Sequence, residues 1–284
     1  MPTSFVGSSP YIADRIGIRV TLVAHVDWQE RERRFDAGDI DVCWICGLPY
    51  VWKADSGAAI ELLGAPVMQR ERYGGRPVYF SDVVTRSSSG YESFAQLRGV
   101  RWGCNEQRSH SGYQMVRKHM AALGMTRGFF GTAIETGSHE SSLRMILDGA
   151  IDAAAIDSTV LETEIRRSPF VATRLRILAS IGPSPIPPWV VHRSVDPRVR
   201  VRLREAMLTM DTTPAGRALL EAAGMVGLAR VSDGDYDPIR TADRHAPLCD
   251  ARLSECCASG PFVRGGRRHQ RESHLNHAAA FESV

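Results

Sequence analysis

The sequence predicts an α/β fold in two lobes, and three observations carry that reading. Short apolar runs alternate with helical patterns of about ten residues, the signature of mainly parallel sheets flanked by helices. The chain has 284 residues, 43% hydrophobic and 24% charged, an ordinary globular composition with enough length for two lobes. Two stretches, 83–87 and the proline-rich 180–188, read as crossings from one lobe to the other. Lobe one is expected over 1–84 and lobe two over 85–180. The chain then returns to lobe one over 181–241, and a disordered tail is expected over 242–284.

Each element follows from local pattern. Residues 11–20 read as the end of a helix and 19–23 as a strand. A helix over 28–37 keeps its charges toward water and is punctuated by Gly38 and Asp39. The apolar run 40–46 is a buried strand, and 47–50 is a turn. Strands follow over 65–68 and 77–85, a loop over 87–90, one helical turn over 93–99 and a strand over 100–104. A polar loop at 109–112 precedes a helix over 113–123. The pattern then repeats, with a strand over 132–135, a loop over 136–139, a helix over 140–148 and a buried strand over 150–156. A strand over 174–179, a rigid linker over 182–188 and helices over 197–210 and 214–223 complete the fold. The tail has neither helical nor strand period, yet holds four of the nine histidines and three of the six cysteines. No ligand spacing is present there, so it reads as a flexible extension.

Composition excludes several classes. With 35 basic and 32 acidic side chains the net charge is only +3, too balanced for a general nucleic-acid binder. No run of eighteen apolar residues exists, so no membrane span is expected. The first residues, MPTSFVG, lack the basic and apolar regions of an export signal, so the chain as written is expected in the cytoplasm if Met1 is the true start. Cys43 and Cys46 form a C-x-x-C, but they sit in an apolar run with no second pair nearby. Two buried strand residues are therefore expected rather than a redox or zinc site, and no cofactor or metal is expected.

Chemistry concentrates at strand-to-helix junctions. Ser109, His110, Ser111 and Gly112 stand just ahead of a helix, where unpaired amides carry partial positive charge. The serine hydroxyls add donors, and Gly112 lets backbone approach a ligand. The same residues could be plain N-cap serines. Gly137, Ser138 and His139 repeat the arrangement 28 residues later, and the open ends of parallel strands are where α/β sheets bind ligands. Asp157, ending the buried strand, reads equally as a cleft carboxylate or a helix N-cap. Tyr50 and Tyr79 lie near strand ends with hydroxyls that need partners, and Trp44 reads as core. Ser111, His139 and Asp157 have the residue types of a hydrolytic triad, but no G-x-S-x-G elbow surrounds Ser111.

The motifs GDIDVCWICGLPY at 38–50, YFS at 79–81, LRG at 97–99, SHSGY at 109–113, GSH at 137–139, GAIDAAAIDS at 149–158 and DYDPI at 235–239 together resemble one family. It is the phosphate/phosphite/phosphonate substrate-binding proteins of ABC transporters, over residues 17–240. The resemblance implies a type II periplasmic-binding-protein fold, with a ligand cleft between lobes that close on a hinge. It implies that Ser109, Ser111 and His139 hold the ligand oxygens with His110 and Gly112 in the same loop, and that Tyr79 and Tyr50 stand at the cleft. It also implies a first strand and helix for which the residues ahead of 11 leave no room, so both are expected to be missing. The positions matching the acidic side chains of aminoalkylphosphonate binders are Thr159, Pro188 and Trp189, so an amine-bearing ligand is not expected.

The expected function is binding of a small phosphate-like or phosphonate-like oxyanion, without catalysis. The expected partners are an ABC permease and ATPase if the chain is exported. The resemblance implies a monomer in the periplasm or at the cell surface. Two alternatives stand beside it: an enzyme on the same scaffold using His139, Asp157 and Cys46, and a truncated copy without function.

Overall fold

The computed structural model describes residues 8–24, 26–125, 128–244 and 263–264. Its strands, in chain order, are β1 (Val42–Trp44), β2 (Ile60–Met68), β3 (Val78–Arg86), β4 (Arg101–Cys104) and β5 (Thr132–Glu135). Then come β6 (Ala153–Asp157), β7 (Leu175–Pro185), β8 (Trp189–His192), β9 (Met225–Ala229) and the two-residue β10 (Val263–Arg264). They form a four-stranded sheet, β1-β8-β2-β9, and a six-stranded sheet, β10-β5-β4-β6-β3-β7.

Mainly parallel pairing holds at the centre of the second sheet, where β4 pairs in parallel with β5 and β6. It does not hold in the first sheet, whose described pairs are all antiparallel. The returning strand β8 enters between β1 and β2 and runs against both, so these two are parallel to each other without pairing directly. The crossings also differ from the expected stretches. Strand β3 lies wholly in the second sheet, so the chain crosses at 69–77 rather than 83–87, and it returns at 186–188.

The second sheet is buried on both faces, which explains the unbroken apolar run of β6. Ala153 and Ala155 face one core with Val83, Trp102 and Phe130, whereas Ala154 and Ile156 face the other with Val84, Leu143 and Ile146. Small residues on β6 leave room for an aromatic cluster in which Trp102 stacks on Phe130 at 4.4 Å between ring centroids. The edge of this sheet is tied by Asp82, fully buried on β3. Arg72 donates to both its carboxylate oxygens at 2.9 and 2.7 Å, and Ser180 of β7 adds a bond of 2.6 Å.

The described helices begin with α1 (Ser8–Ile16), α2 (Trp28–Asp36) and α3 (Gly47–Asp55) on the first sheet, and α1 packs against the late helix α8. The second sheet carries α4 (Met115–Ala122), α5 (His139–Leu147), α6 (Ser158–Arg167) and α7 (Pro169–Arg174). Helices α8 (Pro197–Leu208), α9 (Pro214–Ala222) and α10 (Asp237–Arg244) return to the first sheet. No strand forms over 19–23, and the expected turn at 47–50 is the start of α3. The expected linker over 182–188 is shorter, because β7 continues to Pro185. Of the tail, α10 reaches Arg244 and β10 pairs in parallel with β5, and the rest lies outside the described residues. No described helix is long and apolar enough to cross a membrane.

Candidate functional site

Three parallel strands of the second sheet end on one side, and each leads into a loop that opens a helix. After β4 comes Asn105, then Ser109, whose side chain accepts from Gly112 N at 3.0 Å. The first turn here, His110–Gln114, is wide, with Gln114 N donating to Ser109 O at 3.1 Å before α4 begins. Such widened turns recur at functional sites. After β5, the Ser138 hydroxyl accepts from Ser141 N and caps α5, leaving His139 as its first residue. At the end of β6, Asp157 Oδ1 accepts from both Thr159 N and Thr159 Oγ1 at 2.7 Å, and Asp157 caps α6.

These junctions meet lobe-one side chains around a cavity of about 40 Å³. A single water needs about 10–15 Å³ on the same measure, so the space suits a small tetrahedral anion. Ser109, Ser111, His139, Asp157 and Asn105 line it from the second lobe, and Trp28, Trp44, Cys46 and Pro187 from the first. Arg108, beside Ser109, bridges the lobes. Its guanidinium lies 5.3 Å from the Trp28 ring and 5.6 Å from that of Trp52, and it pairs with Glu32 at 3.1 Å.

Inside the cavity the polar groups are mutually tied. Ser111 Oγ and His139 Nε2 are 3.0 Å apart, and Asn105 Nδ2 lies 3.4 Å from the same nitrogen. Asn105 Oδ1 is buried without a partner. Gly112 stands directly behind them, since a Cβ there would press on Asn105 Oδ1 and come within 3.2 Å of His139 Cε1.

Burial sets the protonation. It pulls His110 and His139 down to about 4, so both imidazoles are neutral at pH 7. It pushes Asp157 up to about 6 and Glu106, near the mouth, to about 7. Burial also pushes Cys46 to about 12, which holds it as a thiol and disfavours the thiolate that a cysteine nucleophile needs. Ser111 and His139 pair as a nucleophile and base would. Among the described residues, however, no hydrogen bond joins Asp157 to His139, and Thr159 holds Asp157 Oδ1 instead. The described residues hold no metal-ligating cluster, and Cys43, Cys46 and Cys104 form no disulfide among them.

A family model described as ABC transporter, phosphonate, periplasmic substrate-binding protein matches residues 9–236. The chain belongs to this family. A member of this phosphonate-type family is a solute-binding protein of an ABC transporter, with a small ligand and with permease and ATPase partners. Solved structures share the fold. A binding-protein component of an ABC phosphonate transporter from Pseudomonas aeruginosa matches with TM-score 0.77 and 17% identity, covering 87% of this chain and 82% of that one. PhnD1 from Prochlorococcus marinus, in complex with methylphosphonate, matches with TM-score 0.75 and 17% identity over 85% of this chain and 91% of that one. The periplasmic aliphatic sulphonate binding protein SsuA from Escherichia coli matches with TM-score 0.59 and 13% identity over 97% and 94%.

In this phosphonate-type chain the cavity brings together Ser109, Ser111, His139, Asp157 and Cys46, with Gly112 packed behind. Tyr79 is fully buried next to the site, its hydroxyl facing Ser111 without completing a hydrogen bond. His110 turns away and bonds Ser184 Oγ on β7 at 2.9 Å. Tyr50 does not reach the cavity, because its hydroxyl donates to Asp233 at 2.9 Å and its ring packs on Tyr236. Sequence reasoning missed Asn105 and Trp28, while Trp44, read as core, is buried in the first lobe's core and also lines the cavity. The signal for Asn105 was its place at the carboxyl end of a parallel strand. Thr159 does line the cavity, but so do Glu106, Glu140 and Glu164, acidic groups that pattern alone did not place there.

Proposed function

We propose that this chain captures a small phosphate-like or phosphonate-like oxyanion between its lobes and delivers it to a permease, as a monomer in the periplasm or at the cell surface. The observation that carries this is the convergence of Ser109, Ser111, Asn105 and His139 on one small cavity at the ends of β4, β5 and β6. Ser109 Oγ already accepts from Gly112 N, so its own O–H proton is free for an anion. With the proton on Nε2, His139 donates to Ser111 Oγ, which frees the Ser111 proton in the same way. Helix starts add their partial positive charge. Arg167 at the rim is the cavity's one basic lining side chain among the described residues, and it pairs with Glu164 at 3.0 Å. Binding therefore uses neutral donors and dipoles rather than ion pairing. Such a desolvated site penalises ligands that leave its donors unpaired.

Calorimetric titration with phosphate, phosphite and methylphosphonate tests the reading. Saturable heat with one of them supports it, and no heat with any of them overturns it.

A further inference from the structure

Resting on that reading, we propose that Asp157 makes the site select oxyanions that carry a proton on an oxygen, hydrogen phosphonates and their phosphorus relatives, over fully ionised sulfates and sulfonates. Asp157 is 5% exposed and lines the cavity beside Ser109, Ser111 and His139. Its two bonds from Thr159 hold the carboxylate in place, so it cannot swing away from a ligand. A carboxylate offers only acceptors. It forms no ion pair among the described residues, so an incoming anion meets a like charge unless one proton lies between them. That shared proton turns repulsion into a short charge-assisted hydrogen bond. A hydrogen phosphonate brings that proton with it, whereas a sulfonate brings none and must draw one onto Asp157 from solution.

The surroundings supply no substitute charge. Tyr79 and Asp82 from β3, Tyr73, Cys46 at the start of α3 and His139 of α5 face or surround Asp157, and all are neutral or acidic. At the mouth, Glu106, Glu140 and Glu164 are acidic, and Arg167 is paired with Glu164. Phosphorus oxyanions retain a titratable proton whose loss falls near pH 6 in phosphate esters. Sulfate and alkylsulfonates retain none near neutrality. The same carboxylate that caps α6 thus reads the proton on the ligand.

The test is calorimetry on the full chain with phosphite and methylphosphonate against sulfate and methanesulfonate, at pH 6 and pH 8 in buffers of different ionisation enthalpy. The expected result is methanesulfonate weaker than methylphosphonate by about 100-fold. Uptake of close to one proton per methylphosphonate bound is expected at pH 8, with affinity falling up to about tenfold per pH unit above the ligand's second ionisation. Asp157→Asn keeps a good helix cap and presents an N–H to the ligand. It is expected to flatten that pH dependence and to raise sulfonate affinity by about tenfold or more. Equal wild-type affinity for sulfonate and phosphonate, or phosphonate binding at pH 8 without proton uptake, overturns the selectivity while leaving oxyanion binding intact. Failure of all four anions to bind overturns both. The wild-type ratio and proton count decide the matter even if the variant does not fold.

Discussion

Replacing Gly112 with alanine tests the cradle most sharply, because the cost is steric. The backbone at Gly112 is not left-handed, so alanine adds no conformational strain there. Its Cβ would press on Asn105 Oδ1, lie 2.8 Å from Asn105 Cγ and 3.2 Å from His139 Cε1. Asn105 is 5% exposed and its Nδ2 lies 3.4 Å from His139 Nε2, so it cannot yield without moving the histidine contact. Overpacking of this kind costs about 1–3 kcal/mol of stability, read from urea unfolding with an unchanged slope. The displaced Asn105 and His139 should also cost the ligand at least one hydrogen bond to a charged group, about 1.5–3 kcal/mol, or roughly 10- to 150-fold in affinity by calorimetry. Adding Asn105→Ala makes room for the methyl group, so the two substitutions should couple by about 0.5–3 kcal/mol. Gly112→Ala with wild-type stability and affinity, or strict additivity with Asn105→Ala, would refute the reasoning.

Other perturbations follow from named contacts. Ser111→Ala removes the 3.0 Å contact to His139 Nε2 and a ligand donor, so affinity should fall roughly 10- to 150-fold; unchanged calorimetric affinity contradicts the site. Asp82→Asn breaks the fully buried end of the Arg72 pair and should cost up to about 3 kcal/mol in urea unfolding, the low end because Arg72 is partly exposed and can re-solvate. In the unliganded protein, His110 and His139 titrate near 4 in the fold against 6.5 unfolded, so the stability they allow is lost as pH falls from 6.5 toward 4. Asp157 has the opposite sign, near 6 folded against 3.8 unfolded, so its protonation restores stability as pH falls through that window. Asp157→Asn should therefore steepen the acid loss between pH 6 and 4 by up to about 1.4 kcal/mol per pH unit, and a parallel stability profile would contradict this.

The second lobe was the more legible. Its strands run straight into short loops and capped helices, so the site loops at 109–112 and 136–139 could be placed from local pattern alone. The first lobe was less so, because its sheet is assembled from strands distant in sequence. Nothing local announces that β8 slides between β1 and β2. Proline misled twice. Pro49 suggested a turn, but it lies in the first turn of α3, where no intrahelical bond needs its missing N–H. Pro183 and Pro185 suggested a linker, but β7 is an edge strand, where proline is tolerated. In the site, Ser109, Ser111, His139 and Asp157 were readable because each stands at a junction. Trp28 was not, since which lobe-one side chains face the lobe-two loops depends on how the lobes meet, and Asn105 and the acidic rim, which belong to the second lobe itself, stand in no motif that singles them out. Tyr50 looked like a cleft residue from its place near a turn, but Asp233 claims its hydroxyl.

The central claim, a native-state site for small oxyanions, is tested most directly by thermal unfolding of the chain with and without millimolar phosphate, phosphite, methylphosphonate, sulfate and methanesulfonate. A ligand that binds only the folded state stabilises it by about 2.7 kcal/mol at one hundred times its dissociation constant. The account predicts such a shift for at least one phosphorus oxyanion, lost in Ser111→Ala. An unfolding transition that stays at the same temperature with every phosphorus oxyanion would contradict it.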